Sequence, residues 1–159
     1  MDLIDRLREH WNSQGIACPP GVTMSDIASF QRQNGVVLPA DMCVYFLAIN
    51  GMGERGSTDD DLFCFFQLQD VISVADDVPV RASRFRDAHR YYVFADHSIS
   101  LPSYAIRLQR DESQANPVAS VYTDGGALEV EDFFSSFSDF VRQYLDDPNG
   151  TCAAFPRTV

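Results

Sequence analysis

The sequence contains no lysine, because all 12 of its basic residues are arginines, and these are set against 23 aspartates and glutamates. The formal net charge is therefore -11 at pH 7. A surface of that sign repels nucleic acids and anionic membranes, and it attracts basic proteins. Solubility alone would also explain the charge. We expect a basic protein partner, with no binding to nucleic acid or to a membrane.

Paired cysteines and long apolar runs are also missing. The sequence has four cysteines and no CxxC pair, and no histidine is spaced to complete a zinc site. No apolar stretch is long enough to cross a bilayer. The first eleven residues carry charges throughout, unlike a secretory leader. These absences predict a cytoplasmic protein with reduced thiols that needs no metal and no other cofactor.

Motifs for catalysis are absent as well. The chain has no GxSxG, P-loop or GxGxxG sequence. Asp96, His97 and Ser98 are adjacent, whereas triad members converge from distant parts of a chain, so we expect His97 to be a solvent-exposed turn residue. Cys43 lies in an apolar helical segment, which favours burial over reactivity. No catalytic residue is predicted, and a small hydrolase using His97 or Cys43 is the least favoured alternative.

The N-terminal part of the chain predicts two amphipathic helices. The apolar residues of the first share one face: Leu3, Ile4, Leu7 and Trp11. In the second, Thr23 and Asp26 are spaced as a capping box, and Gly35 lies where a helix stop belongs. With 159 residues and 45% apolar content, the chain is long enough to bury one substantial core.

Residues 38–51, LPADMCVYFLAING, predict a third helix that is apolar on nearly all sides. Pro39 suits the first helical position, because the N–H that it lacks would be unpaired there anyway. Asn50 and Gly51 supply a left-handed exit. Since this helix offers little polar surface, we expect other elements to cover it on several sides.

An acidic, glycine-containing loop follows this helix at residues 54–61. Its three consecutive aspartates are expected to be solvated rather than packed, and they lack the spacing of an EF-hand, so no metal site is predicted. Together with two later aspartates, the loop is the predicted contact surface for the partner. The predicted contact residues are Glu54, Asp59, Asp60, Asp61, Asp76 and Asp77.

Strand-like segments fill the middle of the chain, at residues 62–66, 91–95, 104–108 and 118–122, with 127–130 pairing back across a turn. Residues 71–75 predict a short helix or turn. Ser136 and Asp139 cap a final helix that ends before Pro148. We therefore predict one α+β domain over residues 1–147, with an antiparallel-leaning sheet covered by helices on one face, and a C-terminal tail at 148–159.

Five features follow one another along the chain: Trp11 ending the first helix, Leu38-Pro39 after a capped helix, Asn50-Gly51 closing the next helix, Val93-Phe94-Ala95-Asp96, and Ser136-Phe137-Ser138-Asp139-Phe140. This ordered set resembles the SUKH superfamily, whose founder is a fungal cell-wall assembly regulator. In the turn after the aromatic strand, where that family usually has glycine, this chain has His97-Ser98-Ile99-Ser100.

The resemblance implies a binding module rather than an enzyme. Many bacterial members of the family look like immunity proteins, which bind and silence a cognate toxin that is often a nuclease with a basic cleft. It therefore implies that the basic partner is a toxin domain. The alternative is an intracellular regulatory or scaffold module, similar to the fungal founder, with no toxin partner.

Overall fold

A six-stranded antiparallel sheet organises the molecule. The computed structural model of the chain describes residues 1–54, 56–82, 85–99, 101–111, 114–124 and 126–154. The helices are α1 Leu3–Ser13, α2 Met24–Asn34, α3 Ala40–Ala48, α4 Val74–Asp77, α5 Pro79–Ala82, α6 Phe137–Asp146 and α7 Pro148–Cys152. The strands are β1 Phe63–Phe65, β2 Ile72–Ser73, β3 Tyr91–His97, β4 Ser103–Arg107, β5 Val118–Asp124 and β6 Ala127–Phe134. The predicted α+β class with a single domain is confirmed.

The strands follow the order β1-β3-β4-β5-β6, and β2 also pairs with β3. Both β1 and β2 lie on the side of β3 that faces away from β4, because Phe63 pairs with His97 and Ile72 pairs with Val93. The predicted return of the chain after β5 is confirmed by the long β5–β6 ladder. Within the described residues β6 is an outer strand, and Glu129, Glu131 and Asp132 lie along it.

Both faces of the sheet are covered. Alternate side chains of each strand point to opposite sides, and each side packs into its own hydrophobic cluster. On one face Phe65, Phe94 and Tyr104 join a large core with α1, α2, α3 and α6. On the other face Val93 and its neighbours pack against Val74, Ala82 and Ala88, which belong to the part of the chain between β2 and β3. The predicted cover of long helices on one face is present, and α4 and α5 add a second, smaller layer on the other face, which was not predicted.

Helix α3 is less enclosed than its composition predicts. Its buried residues are Met42, Tyr45 and Phe46. Val44 and Leu47 remain 56% and 39% exposed, so the expectation that neighbours cover this helix on several sides is wrong for one of its faces. Pro39 is the N-cap residue of the helix rather than its first helical residue.

The predicted hydroxyl caps of α2 and α6 are both present, although in α6 the Asp139 carboxylate accepts the N–H of Ser135 at 2.9 Å and not that of the N-cap residue Ser136. In α2 the hydroxyl of Thr23 accepts the N–H of Asp26, and the Asp26 carboxylate accepts the N–H of Thr23 at 2.8 Å. In α6 the hydroxyl of Ser136 accepts the N–H of Asp139 at 3.0 Å. None of the helices in the described ranges combines the length and the apolar character needed to span a membrane.

The region predicted as a tail begins with an ordered helix. Helix α7 follows α6 directly, and Thr151 within it is only 1% exposed. The buried hydroxyl of Tyr104 donates a hydrogen bond of 3.3 Å to the carbonyl oxygen of Thr151. The folded body therefore continues past residue 147, and residues 155–159 of the predicted tail lie outside the described residues.

Gly51 offers a test of the close packing at the end of α3. Its φ is +70°, and a Cβ atom there would lie 2.6 Å from the backbone of Phe66. Gly15 has a similar φ of +74° but nothing within 4 Å of the same position, which makes it a matched control. Because both alanine variants bear the left-handed strain, Gly51→Ala should lose about 2 kcal/mol more unfolding free energy than Gly15→Ala in urea titrations. Equal losses would contradict a rigid contact with Phe66.

Candidate functional site

The structure separates the three consecutive aspartates of the acidic loop. Asp60 is exposed and Asp61 is half-buried, so both can contribute to a charged surface. Asp59, however, is only 4% exposed. The expectation that all three are solvated is therefore wrong for Asp59, whose carboxylate lies inside the molecule.

The buried carboxylate of Asp59 is held by three hydrogen-bond donors. Its Oδ1 accepts the backbone N–H of Phe63 at 2.8 Å and that of Asp61 at 3.0 Å. Its Oδ2 accepts the hydroxyl of Tyr144, a residue of α6. The carboxylate thus closes the turn that leads into β1 and fastens that turn to a helix more than eighty residues further along the chain.

Helix α1 supports the same loop at two points. The hydroxyl of Tyr144 accepts the indole N–H of Trp11 at 2.9 Å, which completes a buried set of three that we call the Asp59 network: Asp59, Tyr144 and Trp11. The Oε1 of Gln14, the C-cap residue of α1, accepts the backbone N–H of Asp60 at 2.7 Å. The loop is therefore fixed against two helices at its acidic end.

Burial dominates the electrostatics of the network. Desolvation raises the pKa of Asp59, while the hydrogen bonds from Tyr144 and from the backbone of Phe63 act in the opposite direction. The pKa of Tyr144 is also raised, first by its burial and then by the neighbouring charge of Asp59. The hydroxyl of Tyr144 consequently stays protonated and remains a donor to the carboxylate.

A group of possible metal ligands lies beside this network. His10, Asp59 and Asp61 each offer one ligand atom, and these atoms lie within 4.8 Å of one another. The two Asp59 oxygens, however, already accept three hydrogen bonds, which a cation would have to displace or share. The arrangement is therefore better suited to holding the loop than to holding a metal.

The predicted contact residues do not form one cluster. Glu54 is exposed in the acidic loop, whereas Asp76 and Asp77 lie in α4, which covers the other face of the sheet. The register on β3 gives the distance between the two groups of acidic residues. Phe63, which follows the acidic loop, pairs with His97, and Ser73, which precedes α4, pairs with Tyr92, five residues away on β3. Five residues of a strand span about 17 Å. Asp60 and Asp61 therefore form the compact part of the predicted surface.

His97 and Cys43 both differ from their predicted environments. His97 ends β3 and is half-buried, with its ring 4.9 Å from that of Phe63, so the prediction of an exposed turn position is wrong. Cys43 is half-buried rather than sealed, and it lines a cavity of about 380 Å³ together with Asp111 and Asn116. The described lining of that cavity includes no histidine that could act as a base.

Among the cavities lined by described residues, one between α2 and residues 68–71 is larger, with a volume of about 620 Å³. Much of its polar lining comes from the neutral amide side chains of Gln33, Asn34, Asn50 and Gln69. None of the predicted contact residues lines it. This cavity and the acidic loop are therefore separate features.

No family model matches the chain, and no curated protein matches it significantly.

Tyr144→Phe tests the Asp59 network directly. The variant keeps the ring but leaves the Trp11 N–H and the Asp59 carboxylate without a shared partner, which should lower the unfolding free energy by about 2–4 kcal/mol. Tyr104→Phe is the matched control, because Tyr104 is equally buried but its hydroxyl makes one longer hydrogen bond, of 3.3 Å. Urea unfolding measures both losses. A Tyr144→Phe loss no larger than that of the control would contradict the proposed role of the hydroxyl.

The raised pKa of Asp59 gives stability a defined dependence on pH. The carboxyl group of Asp59 binds its proton more tightly in the folded protein than in the unfolded chain. Its contribution to the free energy of unfolding is therefore largest below about pH 4. It falls as pH rises through the raised pKa. Asp59→Asn keeps an oxygen acceptor but cannot ionise, so the unfolding free energy of the wild type minus that of the variant should decrease over this interval. An increase with pH would mean that folding lowers the pKa of Asp59.

Proposed function

We propose that this chain is a non-enzymatic protein-binding module that binds and neutralises a basic toxin domain, and that it belongs to the SUKH superfamily. The observation that carries the proposal is the placement of Asp60 and Asp61. Their side chains lie on a loop whose backbone is hydrogen-bonded to α1 through Gln14 and to α6 through the Asp59 network. The charges are thus presented from a fixed position.

A fixed acidic loop suits recognition of a cationic surface. The net charge of -11 attracts such a surface over a distance and speeds encounter. Loop ordering usually costs free energy on binding, and a loop that is already fastened avoids most of that cost. A nuclease toxin has a basic cleft for phosphate groups, and carboxylates can occupy the same cleft. The proposed outcome is that substrate is excluded from the toxin.

The resemblance in the order of helices, strands and capping residues supports the choice of a toxin over other basic proteins. It covers Trp11, Leu38-Pro39 and the Asn50-Gly51 exit, together with the start of α6. In the structure Trp11 belongs to the Asp59 network, and Gly51 lies against the backbone of Phe66. Of these residues, Trp11 supports the proposed contact surface through Tyr144 and Asp59, whereas Gly51 supports the packing of β1.

The experiment begins with the source genome, where the proposal predicts a toxin gene beside this one, and continues with the toxin domain that this gene encodes. The purified pair should form a complex, and co-expression should protect cells from the toxin. Asp60→Asn/Asp61→Asn should lower the association rate constant about tenfold at low salt, with little difference in 0.5 M salt, where screening is strong. Surface plasmon resonance over a salt series measures both quantities.

Glu129→Gln/Glu131→Gln on β6 is the matched control, because it changes net charge by the same amount at a different surface. An equal effect of the two double variants would show that only net charge matters and would exclude the loop. Asp59 is left unchanged because its substitution alters the fastening of the loop. Absence of any complex with the neighbouring toxin would refute the toxin assignment and favour the regulatory alternative.

A further inference from the structure

Three large apolar side chains are exposed at the corner of the molecule next to Asp60 and Asp61. We call Leu62, Ile99 and Leu101 the apolar corner; their exposed fractions are 50%, 81% and 48%. Backbone contacts bring them together, because the N–H of Ser98 donates to the carbonyl oxygen of Leu62 at 3.0 Å and the N–H of Leu101 donates to that of His97 at 2.8 Å. The corner therefore combines the start of β1 with the turn between β3 and β4.

The backbone of this corner is unfavourable for the residues that occupy it. The φ angles of Leu62, Ser98 and Ile99 are +67°, +50° and +59°, in the left-handed region that favours glycine and asparagine. A β-branched residue there is strained. Ile99 is also mostly in contact with water, so its burial does not compensate for the strain. Folding alone would favour a small or polar residue at this position, and strain of this kind concentrates at functional sites.

The surroundings of the apolar corner resemble a binding surface. Asp60 and Asp61 immediately precede Leu62, and the half-buried ring of His97 lies behind it against Phe63. An apolar centre beside a charged border is the usual anatomy of a protein interface. The aspartates also oppose insertion of the corner into an anionic bilayer.

We propose that the apolar corner is the anchor of the partner interface, and that it binds a protein surface where an apolar pocket lies beside arginine or lysine side chains. This inference rests on the proposed function and names the chemistry of the partner at the contact. In this proposal Asp60 and Asp61 govern the association rate constant. The side chains of the apolar corner, which the partner would bury, govern the dissociation rate constant.

A small-molecule probe tests the corner without any knowledge of the partner. Benzamidine joins an apolar ring to a cation, and benzamide is its neutral counterpart. In titrations followed by ¹⁵N–¹H correlation spectra, benzamidine should shift the amide signals of Asp60, Leu62, Ile99 and Leu101 most, and benzamide should shift them less. Ile99→Asn should reduce these shifts. Shifts centred on the cavity between α2 and residues 68–71, or no shifts, would overturn the proposal.

The kinetics of the toxin complex provide the second test. Ile99→Asn, which suits a left-handed φ, should raise the dissociation rate constant about tenfold, with the association rate constant nearly unchanged. Its melting temperature should equal or exceed that of the wild type, which a merely structural role would not produce. Met24→Gln is the matched control, because Met24 is 63% exposed on α2 and should leave both rate constants unchanged.

The outcomes separate this inference from the proposed function. If the toxin binds the wild type and Ile99→Asn with equal dissociation rates, the anchor is wrong and the proposed function stands. If the toxin does not bind the wild type, the proposed function fails, and the benzamidine titration alone tests whether the apolar corner is a binding surface. Binding of the wild type to phosphatidylcholine vesicles that is lost in Ile99→Asn would overturn the proposal in favour of a membrane contact.

Discussion

One buried carboxylate determines the shape of the acidic region. The Asp59 carboxylate is almost fully buried, and three hydrogen-bond donors offset the free-energy cost of its lost hydration. Those donors come from the turn before β1, from the first residue of β1 and from α6, and the shared hydroxyl of Tyr144 extends the set to α1 through Trp11. The loop, the sheet and two helices are therefore positioned by the same small group of polar atoms.

This arrangement explains how a charged loop can be both exposed and fixed. Asp59 and Asp60 are neighbours with opposite tasks: one carboxylate faces the interior, and the other faces solvent while its backbone N–H binds Gln14. The strained turn that carries Ile99 joins the same corner through the carbonyl oxygen of Leu62. Charge, apolar surface and rigid support thus meet in one region of the molecule.

Local signals in the sequence were sufficient for most elements and insufficient for their environments. The capping box at Thr23, the cap at Ser136 and the alternation in the strands depend on neighbouring residues, and the corresponding elements formed as predicted. The burial of Asp59 depends on Tyr144, 85 positions away, and three aspartates in a row carry no mark of which one turns inward. The apolar composition of α3 likewise predicts burial, but it does not show how many elements pack against the helix. The exposure of Val44 was therefore not predicted.

The outer strand β6 has a consequence for how the protein behaves at high concentration. An outer strand offers unpaired backbone groups that another copy of the same strand can extend, which is a common route to fibrous aggregates. Glu129, Glu131 and Asp132 lie along this strand, so two copies meeting there would bring like charges together from both chains. The acidic side chains of β6 thereby discourage the molecule from polymerising through this edge of its sheet.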